Sequence, residues 1–396
     1  MNYIEGIDFI SKWKLLEAKA SFEKAIQIDP SFASAYRKLA DMYNSLEDFK
    51  ARDNAIAKAK SLSDKATDKE KLYIESEIAF YQGDMGQCIQ SLEEIVNKYP
   101  KEKEAHAWIG QHIIGSPFKD LGRGAKEMEK VLELDPNFAQ AYNTLGSINV
   151  ELGNFEKAIE LYKKYQSLSP GNANALDSIG SGYFLWGKLD EAIANFKKAI
   201  NTDPRIYWTY WILAYTQALR ENYAEAMDWI NRLLETDPPP GIQGSFFFIR
   251  GFLNLWLGRF EQSLLDFDKA EKLSASVGRG FMRIHTEWGK GAAHFERGEF
   301  GLSQKYWGSS FDLSQKEKNV DQADPSYDYA KNAYLLGLID LMQGEVGPAK
   351  TRLEEVKTSL PDVLDEALKE RMTYLYDILN GEICIRRART AASFIP

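Results

Sequence analysis

Residues 171–204 read GNANALDSIGSGYFLWGKLDEAIANFKKAINTDP. Leu176, Ile179 and Tyr183 recur at three- and four-residue steps, and so do Ala192, Phe196 and Ala199. That is the spacing of one face of an α-helix, so the stretch predicts two amphipathic helices with Gly187 at the turn between them. Pro204 closes the second, because proline cannot continue a helix and restricts the residue before it. The preceding copy has the same design. Ala141 to Ile148 carries the first helix period, Leu152-Gly153-Asn154 the turn, Glu156 to Tyr162 the second helix, and Ser169-Pro170 the stop. Gly153 suits the left-handed backbone position just past a helix.

Outward from these two copies, the stop recurs at Asp29-Pro30, Tyr99-Pro100, Asp135-Pro136, Asp203-Pro204 and Asp237-Pro238, with Ser63-Asp64 in the remaining slot. From Pro30 to Pro238 the steps are 34, 36, 36, 34, 34 and 34 residues. A fixed period of this length means stacked supersecondary units, none of which buries its apolar face alone. No segment alternates apolar and polar residues over a strand's length, so the expected fold class is all-α.

The pattern resembles the tetratricopeptide repeat, W-x2-L-G-x2-Y, A-x3-F, P. Leu176-x2-Ile179-Gly180-x2-Tyr183, Ala192-x3-Phe196 and Pro204 match it well. Tyr142-x2-Leu145-Gly146 with Ala158-x3-Tyr162, Gly6-x2-Phe9 with Ala18-x3-Phe22, and Tyr36-x2-Leu39-Ala40-x2-Tyr43 match it in part. In the second copy Arg52 stands where the pattern has alanine, which predicts looser packing of that pair. The fourth copy requires extra residues at Ser116 to Asp120. Beyond Pro240 looser copies follow, with turn glycines at Gly258, Gly298 and Gly344. The resemblance, to long multi-repeat arrays of bacterial type, implies a right-handed superhelical solenoid of about ten antiparallel helix pairs plus a C-terminal capping helix. The expected organisation is 1–237, seven regular units; 238–244, a Pro/Gly break; 245–361, three looser units with longer helices; and 362–396, a capping helix and tail.

Composition narrows the function. Lys+Arg 49 against Asp+Glu 58 gives a net charge of −9, which disfavours nucleic acid as a ligand. Met1 to Gly6 shows no basic-then-apolar leader, and no apolar run approaches a bilayer span, so a soluble, cytoplasmic chain is expected, a leader or anchor before Met1 aside. Cys88 and Cys384 each lie among apolar residues at helical spacing and read as small buried residues. His106 and His112, or His285 and His294, lack the spacing of a metal site, and Gly122-Arg123-Gly124 and Gly180-Ser181-Gly182 follow no strand as a phosphate loop would. No catalytic residue, metal or cofactor is assigned.

What remains is a surface. In the resembled family the first helix of each pair lines a concave groove that takes extended peptides or helices. Along that face the chain places Arg37 and Asp41, Tyr73 and Glu77, Asn143 and Ser147, then Asp177 and Ser181. Farther on come Trp211 and Tyr215, Phe248 and Phe252, then Trp288. Arg37 is the one cation among these pairs, and Lys38 is expected on another face, so the cationic clamp with which some relatives hold a C-terminal carboxylate is not expected. The aromatic stretch has two readings, an interface anchor or a stripe covered by the chain itself. Solvent accessibility separates them. The leading function is a non-catalytic scaffold binding a protein or peptide partner, with Trp211, Tyr215, Phe248, Phe252 and Trp288 as anchors and Asn143, Ser147, Asp177 and Ser181 setting orientation. Self-association through the aromatic half is a variant. The alternatives are a sensor region of a larger signalling protein with a kinase, cyclase or DNA-binding output, and, more distantly, an enzyme around His285, Trp288 and His294.

Overall fold

The structure, a computed structural model, describes residues 1–115, 119–280, 282–316, 325–363 and 366–392. Ser116, Pro117 and Phe118 of the expected insertion lie outside them. Among the described residues there are 21 α-helices, two short 3-10 turns and no strand. The first four pairs are α1 (Asn2–Ser11) with α2 (Leu15–Ile28), α3 (Ala33–Ser45) with α4 (Phe49–Leu62), α5 (Asp68–Tyr81) with α6 (Met85–Lys98), and α7 (Lys103–Gly115) with α8 (Leu121–Leu134). Three regular pairs follow: α9 (Ala139–Glu151) with α10 (Phe155–Leu168), α11 (Ala173–Leu185) with α12 (Leu189–Thr202), and α13 (Tyr207–Leu219) with α14 (Tyr223–Glu235). Longer helices then begin at α15 (Pro240–Trp256) with α16 (Phe260–Ser276), and α17 (Met282–Glu296) with α18 (Phe300–Lys316). The last pair is α19 (Pro325–Met342) with α20 (Val346–Ser359), and α21 (Glu366–Ala392) caps it. Ten pairs and a cap form the all-α helical solenoid that the repeat predicts.

The local signals act through identifiable bonds. The expected turn glycines Gly83, Gly153, Gly187, Gly258, Gly298 and Gly344 all have φ between 71° and 86°. At Gly83 the amide donates to Phe80 O and that of Asp84 to Ala79 O, closing the carbonyl end of α5. Trp13, Glu47 and Glu221 hold the same left-handed position in the first, second and seventh pairs, at φ of 57–62°. In three of the Asp-Pro stops the aspartate accepts a backbone N–H two residues on: Asp29 from Ser31 (2.9 Å), Asp135 from Asn137 (3.1 Å) and Asp203 from Arg205 (2.9 Å). Between the helices of several pairs, a glycine on the first faces a ring on the second. A Cβ at Gly180 would lie 2.6 Å from the Phe196 ring, and Gly6 meets Phe22 in the same way. In the second pair Arg52 is buried, its guanidinium over the rings of Phe49 and Tyr81.

The chain divides into two compact units, Met1–Phe246 with Ser276–Arg279, and Phe247–Ala275 with Gly280–Pro396. In the first, the core is a succession of clusters between neighbouring pairs, such as Leu92, Ile95 and Ile109. Curvature brings distant pairs together as well: Asn172 Nδ2 donates to Ser11 O (3.3 Å), and Arg205 pairs with Glu17 (2.7 Å). In the second unit Trp307, Phe311, Leu336, Ile339 and Met372 form the main cluster. The inner stripe of α21, Leu379 and Ile383, packs on Leu341 and Leu353. Asp266 is fully buried there, held by two bonds from Arg250 and one from Asn254. Cys88 is buried, but Cys384 is exposed, contrary to the expectation for it: it lies next to the packed stripe of α21, one residue beyond Ile383.

Candidate functional site

In the first unit the candidate residues lie on the first helices of the fifth, sixth and seventh pairs. Asn143 and Ser147 occupy one face of α9, and both are half-buried. Ser147 Oγ reaches Asn143 O (3.3 Å) and shares a hydrogen bond with the Tyr162 hydroxyl (3.2 Å). Asn143 Oδ1 is buried without a hydrogen-bond partner. On α11, Asp177 accepts from Thr209 Oγ1 of α13 (2.7 Å). Burial raises its carboxyl to about 6, against the pull of the Thr209 bond. Ser181, a turn farther along, is half-buried.

α13 brings the aromatic pair together. The rings of Trp211 and Tyr215 stack at 5.9 Å and 14°, and Phe184 of α11 lies 6.0 Å from Tyr215. Trp208, Trp211 and Tyr215 are 44%, 39% and 42% exposed. Tyr207, Tyr210, Leu213 and Ala214, on the other side of the helix, are buried. α13 therefore buries one apolar face in the stack and turns a second to solvent.

The remaining three candidates belong to the second unit and meet there. Phe252 lies 4.9 Å from Phe248, 5.0 Å from Phe267 and 5.6 Å from Trp288, while His285 edges onto Phe248. Phe248, Phe252 and Trp288 are half-buried, and Trp256 beside Phe252 is exposed. Trp288 O accepts from Trp307 Nε1 (2.9 Å), and its own Nε1 is buried without a partner.

A charged cluster on the second to fourth pairs is what sequence reasoning missed. Arg37 of α3 pairs with Glu77 of α5 (2.5 Å), and Lys38 reaches past it to Glu104 of α7 (2.8 Å). The Arg37 guanidinium lies over the rings of Tyr73 and Trp108, and Lys38 over Trp108. Lys38 therefore does not point elsewhere on α3. The curve of the array brings α3 and α7 near enough for both cations to face Glu104. Burial opposes ionisation of Glu104, but Lys38 and Arg37 outweigh it and hold the carboxyl at about 2. For Glu77 burial wins over Arg37 and pushes the carboxyl up to about 8. Ser34 and Tyr81 add bonds to Glu70 and Asp41. This stretch of inner face is filled by its own side chains. Pairs such as Arg37 and Glu77 were visible along the chain, but their meeting across pairs depends on curvature that spacing does not encode.

The histidines enter other contacts. His106 bonds Glu127 (2.7 Å), and His112 packs on Phe80 and Trp108. His294 bonds Glu299 (2.6 Å) and stacks on Tyr306. Among the described residues no group of three or more His, Cys, Asp or Glu is placed to hold a metal, and no helix is long and apolar enough to cross a membrane.

Profiles of the tetratricopeptide repeat match residues 139–172 and 187–239. The chain is 41% identical over 51 residues to the mitochondrial import receptor subunit TOM70 of Homo sapiens, a match covering 13% of this chain and 8% of that protein. It is 26% identical over 161 residues to the Rattus norvegicus protein of that name, covering 39% and 26%. The chain thus spans about a quarter or less of these relatives. Among solved structures, yeast Tom70 is similar over 98% of this chain and 90% of that one, with a TM-score of 0.59 and 15% identity, a likeness of fold. Two stretches match the tetratricopeptide repeat by profile, and ten helix pairs at the period of that motif give the chain the fold of a tetratricopeptide-repeat solenoid.

Proposed function

We propose that the first unit binds a peptide segment of a partner protein along the faces of α9, α11 and α13, without chemistry of its own. The observation that carries the reading is the exposed row Trp208, Trp211 and Tyr215, three large rings on one helix. Such rings bury much apolar area with little loss of rotamer freedom, so a few of them dominate an interface. Asn143, Ser147, Asp177 and Ser181 supply amide, hydroxyl and carboxyl groups beside them, and Asn143 Oδ1 is an acceptor still to be used. The filled face of α3, α5 and α7 leaves less room for a ligand, which favours the fifth to seventh pairs. The relatives named above are import receptor subunits. For this chain the corresponding reading is the coarser one, that a segment of another protein is what it takes. Phe248, Phe252 and Trp288 of the second unit are proposed as a further apolar contact.

The test is to select peptides from a random display library on the whole chain and measure their affinity by calorimetry. Trp211→Ala and Tyr215→Ala should each weaken them by about 2 kcal/mol, roughly thirtyfold, with helix content unchanged. Peptides that bind the alanine variants as well as the wild type would place the site elsewhere. Light scattering at two concentrations separates this from self-association, in which the same substitutions would shift mass and not peptide affinity.

A further inference from the structure

Glu47 stands where six other pairs have glycine. It closes the turn between α3 and α4 at φ 57°, a backbone conformation that costs an L side chain about 1 kcal/mol or more. Its own pair gives no reason for a carboxylate there. The reason lies far along the chain, inside the same unit. Ser245 Oγ donates to Glu47 Oε2 (2.7 Å), and Arg279 bonds both Glu47 and Ser245. Glu47 is buried, and its carboxylate has left water for these two partners.

The backbone on either side is equally committed. Lys50 N–H donates to Val277 O (2.9 Å). Gly241 lies so near the Glu47 backbone that a Cβ would come within 2.8 Å of its carbonyl carbon. Gly278, at φ +81°, would place a Cβ 3.1 Å from Lys50 N. Two glycines thus permit a backbone-to-backbone approach with no room for a side chain. Asn172 with Ser11 and Arg205 with Glu17 continue the contact at the first pair. These bonds join residues 161 to 232 positions apart, whereas a solenoid needs only contacts between neighbouring pairs.

We propose that the first unit is a latched ring: the turn at Glu47 locks onto residues 241–245 and 277–279, and release of this latch opens the inner faces of α9, α11 and α13 to large molecules. Glu47 is a strained residue kept for the contact that it makes, because glycine would satisfy the turn better. Tyr215 is 42% exposed, so a small reagent reaches it in the closed ring, and the proposal requires a bulky one to wait for the seam to part. The inference concerns access to that face and holds whether or not a peptide binds there.

The experiment uses the whole chain carrying Cys384→Ser and Tyr215→Cys, with Cys88 buried and unreactive. Labelling is timed with N-ethylmaleimide and with a long poly(ethylene glycol) maleimide. Glu47→Gly removes the carboxylate's bonds to Ser245 and Arg279, which weakens the latch, and relieves the strained turn. It should speed labelling by the long reagent about tenfold, one decade in the open–closed equilibrium, and leave the small reagent's rate unchanged. Gly241→Leu, which pries the same seam from its other side, should do the same. Wild-type rates with the long reagent in both variants would overturn the latch. So would an equal rise for both reagents, since that reports local unfolding of α13 and not opening of a ring.

Discussion

Gly180 has no side chain because the Phe196 ring occupies the place where one would be. Gly180→Leu should therefore destabilise by about 1–3 kcal/mol through overpacking, read as a lowered thermal midpoint. Gly187→Ala, where nothing lies within 4 Å, strains only the backbone and should cost about 1–2 kcal/mol. Both positions were legible, since a pattern slot and a turn glycine each report a purely local need. His112 was not. Its ring packs on Phe80 (4.7 Å) and Trp108 (5.7 Å), and burial lowers it to about 4 against a weaker upward pull from Asp41. The unfolded chain takes up this proton near pH 6.5 and the folded one only near 4. Stability from this group is thus complete above about pH 6.5 and falls as pH drops toward 4. Urea midpoints at pH 7 and 4.5 should show the wild type losing about 2–3 kcal/mol more than His112→Gln over that interval. An identical acid dependence of the two would show that His112 is not buried as a neutral ring.

At the scale of the element, three of the Asp-Pro stops and the stop at Ser63-Asp64 work by different bonds. Asp29, Asp135 and Asp203 turn the chain by accepting the amide two residues on, with proline between. Ser63-Asp64 aligns with them by position, but there a 3-10 turn over Ser63–Lys65 ends α4. Thr67 then starts α5 with reciprocal bonds, its hydroxyl accepting from Glu70 N–H and its own amide donating to Glu70. Thr67→Ala should cost about 1 kcal/mol and speed hydrogen exchange in the first turn of α5. Unchanged exchange there would mean that packing alone sets the start of that helix. Spacing placed the ten pairs because each depends on residues within one period. It misplaced Lys38 and the outer position of Cys384, which are fixed by which side of a helix the next element covers.

Across the whole first unit, stability is not a sum over neighbouring pairs. An array of independent repeats frays from its ends, but here the first two pairs are held by the sixth to eighth through Asn172, Arg205, Ser245 and Arg279. The arrangement also bears on synthesis. A ribosome delivers the turn at Glu47 some 232 residues before Arg279. At about 5–20 residues per second that is roughly 10–50 seconds in which the turn exists without the partners its charge was placed for. During that interval the early pairs are an open arc carrying an unpaired carboxylate, and their charged inner face is within reach of whatever waits at the exit tunnel. The glycine that would have made the turn fold easily was given up for a contact the nascent chain cannot yet make, so the ring is finished late and from its far end.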